Sequence, residues 1–402
     1  MSSQNLSFTQ FVKAPPEEAY RAFTNASALR EWLCNVATVV PRPGGRFYLW
    51  WNSGYYTSGE YTLAEDGKKV AFSWQGRGEP AATQVEVTFT PQDAGTLVTV
   101  EHADLGTDEE WTQIIAEMQK GWKNSLENLA SVLATGEDLR FVLRPMLGII
   151  PDEFTPEIAQ QMSLPVSEGI RLSDIVEGMG AQAAGLQADD VIVSMGGIET
   201  TDFSSFDKVI SAYRAGDTVE VAFYRGSEQK SVMMELSRRP LPDIPWSAKE
   251  LADAVAIKYK RIESRLDEFF VGVSEEEATF KPAPDEWSLK GILAHFIQGE
   301  RFWHTRIDEL ASGYERFADD YGGNEDVFIE ATITAYPTLQ DMVQEYKRNK
   351  AETLNILANL PDDFIARKGS YWRLAHDLLQ DPFHFDSHME QMQVALAAAR
   401  AK

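Results

Sequence analysis

Apolar positions in the first third of the chain recur first at every second residue and later at every third or fourth. Leu6-Ser7-Phe8-Thr9-Gln10-Phe11-Val12 alternates as a half-buried strand does. Ala14-Pro15-Pro16-Glu17-Glu18 then opens a helix, with proline and acids where a helix start favours them. Ala19, Ala22 and Phe23 give that helix an apolar face, and Trp32 falls on a second short one. After a turn at Gly44-Gly45, five segments read as strands: 47–51, 59–63, 69–74, 85–89 and 97–100. From Trp111 to Thr135 the period lengthens. Ile114, Ile115, Met118, Trp122, Leu126, Leu129 and Leu133 mark one face of a long helix, and Gly136 is a plausible stop.

Residues 140–240 are different. Short apolar runs at 145–150, 170–176, 191–195 and 218–225 are separated by glycine turns, and the one helical stretch is Ser204–Tyr213. Pro240-Leu241-Pro242-Asp243-Ile244-Pro245 reads as a stiff, extended linker. Beyond it, Ala248–Phe270, Ser288–Ser312, Leu339–Leu360 and Asp381–Arg400 carry helical periodicity, as an up-and-down bundle would. Residues 313–337, with Gly322-Gly323 and Pro337, read as a long crossover or lid-like loop. The expected fold class is multidomain α+β: an N-terminal helix-grip domain (1–136), a central β-rich domain (140–240) and a C-terminal all-α four-helix bundle (247–402).

Composition narrows the functions. A chain of 402 residues is long enough for two to four domains. The formal charge of −25 is spread over all three segments, so nucleic acid and anionic membrane surfaces are disfavoured as partners. The only cysteine is Cys34, which excludes an internal disulfide and a cysteine-based zinc site. Met1 to Gln10 lacks the features of a signal peptide, and no apolar run is long enough to span a bilayer, so a cytoplasmic location is expected. No Gly-x-Ser-x-Gly elbow is present. Gly178, Gly180 and Gly185 do not have dinucleotide-fingerprint spacing and read as turn positions.

Ala14-Pro15-Pro16-Glu17, Trp32, Arg42-Pro43-Gly44-Gly45-Arg46-Phe47, Gly59-Glu60-Tyr61 and Gly121-Trp122 resemble the START-like (SRPBCC) superfamily, in particular its heat-shock ATPase activator homologue branch. The resemblance implies a sheet wrapped around the long helix, enclosing a cavity for a small apolar molecule. Trp50, Trp74, His102 and Trp122 are the residues assigned to that cavity, although a packed core would use the same types. By the same analogy the chain would take part in a stress or chaperone response.

Gly180-Ala181-Gln182-Ala183-Ala184-Gly185-Leu186, Asp189-Asp190-Val191-Ile192 and Gly216-Asp217-Thr218-Val219-Glu220-Val221 resemble a PDZ domain of the bacterial HtrA-protease type. Such a domain adds an extended C-terminal peptide to a sheet edge and holds its carboxylate on loop amides. The matching loop is Arg144-Pro145-Met146-Leu147-Gly148 and the edge strand begins at Ile149. Phe206 and Ile210 line the groove from the helix, and Pro145 costs the loop one donor. A spacer with an unused groove is the alternative.

Five of the six histidines lie in the last segment. His384 and His388 are four residues apart and share a helix face, preceded by a helix start at Asp381-Pro382. His295 sits on an apolar stretch of the second helix. Glu286-Trp287-Ser288-Leu289-Lys290-Gly291-Ile292-Leu293-Ala294-His295 and His384-Phe385-Asp386-Ser387-His388-Met389-Glu390-Gln391-Met392 resemble the DinB/YfiT-like four-helix bundles. The resemblance implies a divalent-metal triad of His295, His384 and His388, with zinc or nickel as the metal. His304 and His376 are not assigned as ligands, and Glu300 and Arg301 are expected to face solvent. Two functions stay open. One is a binding or adaptor protein joining an apolar-ligand pocket, a peptide groove and a metal site. The other is a metal-dependent thiol transferase or hydrolase, working with a low-molecular-weight thiol, whose other domains recruit substrate.

Overall fold

The computed structural model describes residues 3–316, 325–380 and 383–402. The helix start read at Asp381-Pro382 and the Gly322-Gly323 pair lie outside the described residues. The chain forms two compact units: Met1–Glu137 together with Pro242–Lys402, and Asp138–Leu241.

In the first unit, β1 (Gln4–Val12), β2 (Val36–Val39), β3 (Arg46–Trp50), β4 (Tyr56–Glu65), β5 (Lys69–Gly76), β6 (Thr83–Gln92) and β7 (Gly95–Leu105) form an antiparallel sheet in the order β1-β7-β6-β5-β4-β3-β2. Between β1 and β2 run α1 (Pro16–Thr24) and α2 (Ala26–Trp32), and α3 (Glu109–Thr135) follows β7. Alternation decides which face is buried. Val70, Phe72 and Trp74 of β5, Val85, Val87 and Phe89 of β6, and Val98 and Val100 of β7 all pack on one side, against Trp122, Leu126, Leu129 and Val132 of α3. Gly136 ends α3 with φ +81°, a conformation that suits glycine, and a Cβ there would meet the Lys368 carbonyl at 2.6 Å.

The second unit is a sheet of β8 (Ile149–Asp152), β9 (Ile170–Ile175), β10 (Val191–Met195), β12 (Thr218–Arg225) and β13 (Glu228–Glu235), in the order β13-β12-β10-β9-β8, with β11 (Ile198–Glu199) paired to β10. Its longest helix is α4 (Phe203–Ile210), capped by a reciprocal Asp202–Ser205 box.

The helical part of the first unit contains α5 (Ala248–Phe269), α6 (Leu289–Ser312), α7 (Glu325–Ala335), α8 (Leu339–Ala358), α9 (Lys368–Leu379) and α10 (Phe383–Arg400). Two of these differ from expectation. Residues 325–335, read as part of a loop, are helical and bury Ile329 and Thr332. The segment 368–379, not marked as a helix, is one; its Gly369, Ser370 and Trp372 are buried.

That second helix joins the bundle to the N-terminal sheet domain. Ser370 donates to the buried Glu31 of α2, the Lys368 ammonium donates to the Ala134 carbonyl at 2.8 Å, and a Cβ on Gly369 would press on Glu31 and Val132. Beside it, Glu315 accepts ion pairs from Arg30 at 3.2 Å, Arg373 at 3.1 Å and Arg306 at 2.5 Å. Burial alone would raise the Glu315 carboxyl, but Arg373, Arg30 and Arg306 override it and hold it down to about 2. For Glu31, burial dominates and pushes its carboxyl up, against Arg21 and Ser370. Removing one partner from such a buried network strands the other charge, at a cost of about 3–5 kcal/mol.

Candidate metal centre, ligand cavity and peptide groove

α6 carries His295, and α10 carries His384 and His388 one turn apart. The Nε2 atom of His384 lies 3.0 Å from that of His295 and 3.1 Å from that of His388. The candidate ligand atoms of the three residues all lie within 4.8 Å of one another. Two of the Nδ1 atoms are held by fixed partners. That of His295 bonds Glu325 of α7, and that of His388 bonds the Gln391 side-chain oxygen at 2.8 Å. Both partners are acceptors, so each Nδ1 carries the proton and each Nε2 presents its lone pair. Two lone pairs thus converge on a third imidazole nitrogen, an arrangement that a single N–H satisfies poorly and a cation satisfies well.

Tetrahedral coordination at about 2.0–2.1 Å sets ligand nitrogens about 3.3 Å apart, close to the separations here. Three imidazoles suit zinc or nickel better than calcium or magnesium. Burial is the largest influence on His295 and His384 and lowers both; at His384 the other two imidazoles lower it further. These two imidazoles therefore favour the neutral form that a metal requires. Trp287 and Phe296 wall the site, with ring centroids 5.1 Å from His295 and 5.5 Å from His388 respectively, while His384 is exposed.

The other two histidines of the bundle stand apart. His304 bonds Thr353 at 3.0 Å, and His376 stacks on Trp372 at 4.8 Å. Glu300 corrects the expectation of a solvent-facing charge. It is buried between the two apolar cores of the bundle and accepts from Tyr259 at 2.9 Å and Thr353 at 3.1 Å. Lys350 lies beside this layer, its ammonium 4.4 Å from both the Tyr259 and Tyr346 rings, and burial lowers it to about 8. The sequence marks these residues only as polar positions on helices. Their pairing, across 41 or more positions, carries no local signal.

Between α3 and the sheet lies a cavity of about 360 Å³, walled by Trp51, Tyr55, Trp74, Ile114, Met118 and Trp122. Of the four residues assigned to it from sequence, Trp74 and Trp122 line it. Trp50 takes the strand register opposite to the buried Phe47 and Leu49, and its neighbour Trp51 lines the cavity instead. His102 sits behind the wall, fully buried. Its Nδ1 accepts from Trp122 Nε1 at 3.1 Å and its Nε2 bonds the Thr83 hydroxyl at 2.7 Å. Burial lowers His102 to about 4.

In the second unit, β8 is an edge strand. Among the described residues, the amides of Leu147 and Gly148 donate no hydrogen bond, although the Leu147 carbonyl accepts from Ala181 and the Gly148 carbonyl from Val176. Gly148 has φ +79°, and a Cβ there would meet Met179 at 2.2 Å. Leu147 and Ile210 are buried, with Ile149 and Phe206 partly buried beside them. Arg144 is already paired with Asp207 of α4 at 2.6 Å.

Residues 13–134 match the family described as Activator of Hsp90 ATPase homolog 1-like protein, residues 145–236 match the PDZ domain and residues 258–391 match the DinB superfamily. Each of the three models matches a different segment of the chain. Its N-terminal domain is thus of a ligand-binding type, its central domain of a peptide-binding type, and its C-terminal domain DinB-like. Among curated relatives, the serine protease Do-like HtrA of Lactococcus lactis subsp. lactis (strain IL1403) is 24% identical over 172 residues, 39% of this chain and 41% of the relative. The periplasmic pH-dependent serine endoprotease DegQ of Escherichia coli (strain K12) is 29% identical over 110 residues, 27% of this chain and 24% of the relative. The chain spans less than half the length of these relatives. Among solved structures, an HSP90 activator from Plasmodium falciparum is 25% identical with a TM-score of 0.29, covering 32% of this chain and 96% of its own. The Aha1 dimer from Colwellia psychrerythraea is 22% identical, also with a TM-score of 0.29, covering 32% and 95%. Among the described residues, no helix is long and apolar enough to cross a membrane.

Proposed function

We propose that this protein is a cytoplasmic binding or adaptor protein that joins a small-molecule cavity, a C-terminal-peptide groove and a three-histidine divalent-metal site. The observation that carries the reading is the convergence of three Nε2 atoms, with separations of 3.0 and 3.1 Å, behind two Nδ1 atoms held by Glu325 and Gln391. His295, His384 and His388 would hold zinc or nickel. Leu147 and Gly148 would hold a peptide carboxylate on their amides, with the apolar terminal side chain against Ile149, Phe206 and Ile210. Arg144 would add attraction only by leaving Asp207, so affinity should be weak, about micromolar. The lone, buried Cys34 suits a reducing compartment.

The exposure of His384 favours a second reading, metal-dependent transfer of a small thiol or hydrolysis, because a substrate can reach that side of the triad. A bound divalent ion would supply Lewis-acid activation of a thiol or water. Elemental analysis of the purified chain, with affinity measured by chelator competition, tests the metal reading; a chain that binds neither zinc nor nickel overturns it. A thiol-transfer assay on metal-loaded protein then separates the adaptor from the enzyme.

A further inference from the structure

The polar atoms around the cavity bear on what it takes, granted the reading that it is a ligand site. Every ring donor in its wall is turned inward and spent. Trp51 Nε1 donates to the Leu33 carbonyl at 2.6 Å, and Trp122 Nε1 to His102 at 3.1 Å. Trp74 Nε1 and the Tyr55 hydroxyl both donate to Glu79, at 3.2 and 2.7 Å. The four rings therefore offer π faces and no free N–H or O–H. What remains in the lining is two carboxylates, Glu79, fixed also by the Gly76 amide at 2.8 Å, and Glu117 on α3, which accepts from Gln113 at 2.9 Å, beside the hydroxyls of Ser53 and Ser125, which can accept as well as donate. The field of both acids reaches into the wall, because after burial they are among the causes that push the Tyr55 phenol up. Arg77 opposes them, but it is exposed and donates from Nη1 to the Gly54 carbonyl at 2.9 Å.

A wall of aromatic faces with two carboxylates and no ring donor attracts positive charge twice over, through the ring quadrupoles and through the acids. We infer that the cavity takes an organic cation with an apolar body, an aryl or alkyl ammonium, rather than a neutral or acidic apolar molecule. The indole faces receive the cationic head, Ile114 and Met118 receive the body, and Glu117 tunes the preference from the rim.

The test is a titration of the full chain, read by tryptophan fluorescence and calorimetry. The probes are benzyltrimethylammonium, its neutral isostere neopentylbenzene, and phenylacetate. The cation should bind about tenfold more tightly than the isostere, and phenylacetate more weakly than both. Glu117 is exposed on a helix, so Glu117→Gln should fold normally. It should weaken the cation about two- to fivefold and leave neopentylbenzene unchanged. If the isostere binds as well as the cation, or phenylacetate binds best, the cation class is wrong while the ligand cavity stands. If none of the probes binds, both the cation class and the ligand-site reading fall.

Discussion

The interior of the N-terminal domain and the end of the helical bundle each hold histidine against tryptophan, to opposite effect. His102 spends both ring nitrogens on the protein, one on Trp122 and one on Thr83. His295 and His388 spend only Nδ1, on Glu325 and Gln391, and aim Nε2 at His384. Burial is similar enough in kind to lower His102, His295 and His384 alike. The count of satisfied nitrogens is what separates them. A histidine bonded on both sides is a structural element, and a set that shares its last lone pairs is suited to a cation.

The strongest way to break this contrast is His388→Ala. It should weaken zinc or nickel binding by more than the roughly 10–100-fold expected for losing a supporting residue, so that metal content falls close to zero. Unchanged metal content would place His388 with His102 as structural. The counterpart, His102→Ala, should leave metal content unchanged and cost about 2–4 kcal/mol in urea unfolding, because it leaves a void and an unpaired Trp122 N–H. A loss below about 0.5 kcal/mol would show that those hydrogen bonds do little.

Acid sharpens the comparison next. The folded-state pKa of His102, about 4, lies below its ordinary value of 6.5, so unfolded chains take up the proton first. The stability it contributes is whole above about pH 6.5 and is lost as pH falls toward 4, roughly 3 kcal/mol in all. Urea unfolding of the metal-free protein across that window should show the loss, and His102→Ala should make it shallower, leaving the part that His295 and His384 contribute. The smallest effect is expected for Gln391→Ala: about tenfold weaker metal binding with stability unchanged, measured by chelator competition. No change in affinity would mean that the Nδ1 partner does not orient the ligand.

Sequence pattern carried the architecture well where each element makes its own case. The long helix was legible from Ile114 to Leu133, because Ile114, Met118, Trp122, Leu126, Leu129 and Leu133 recur on one face. The helix at 325–335 was not, since flanking Gly322-Gly323 and Pro337 read as loop and it buries only Ile329 and Thr332. Helix 368–379 carries a signal that periodicity should have found: Tyr371, Leu374, Ala375 and Leu378 fall at helical spacing and pack into the bundle core, while Gly369 and Ser370 turn to Val132 and Glu31, far away in the chain. The triad residues could be named from i,i+4 spacing and resemblance, but their supports could not. Glu325 lies 30 positions from His295, and nothing in its neighbourhood in the sequence points to that histidine. In the cavity, strand alternation was the missing constraint: it distinguishes Trp51 from Trp50, and a one-residue change of phase exchanges them.

The arginine–glutamate network between the sheet domain and the bundle also sets a schedule for synthesis. Arg30 and Glu31 leave the ribosome with the first domain, whereas their partners Glu315 and Ser370 come roughly 285 and 339 residues later. The first domain is complete at about residue 137, so at about 5–20 residues per second it waits something like 10–35 s before Glu315 arrives. During that time the face it leaves uncovered includes a guanidinium and a carboxylate, which water solvates readily. A greasy docking face would have to be shielded by chaperones over the same interval. The charge that is expensive to bury in the finished molecule is what keeps the unfinished one from sticking to its neighbours on the polysome.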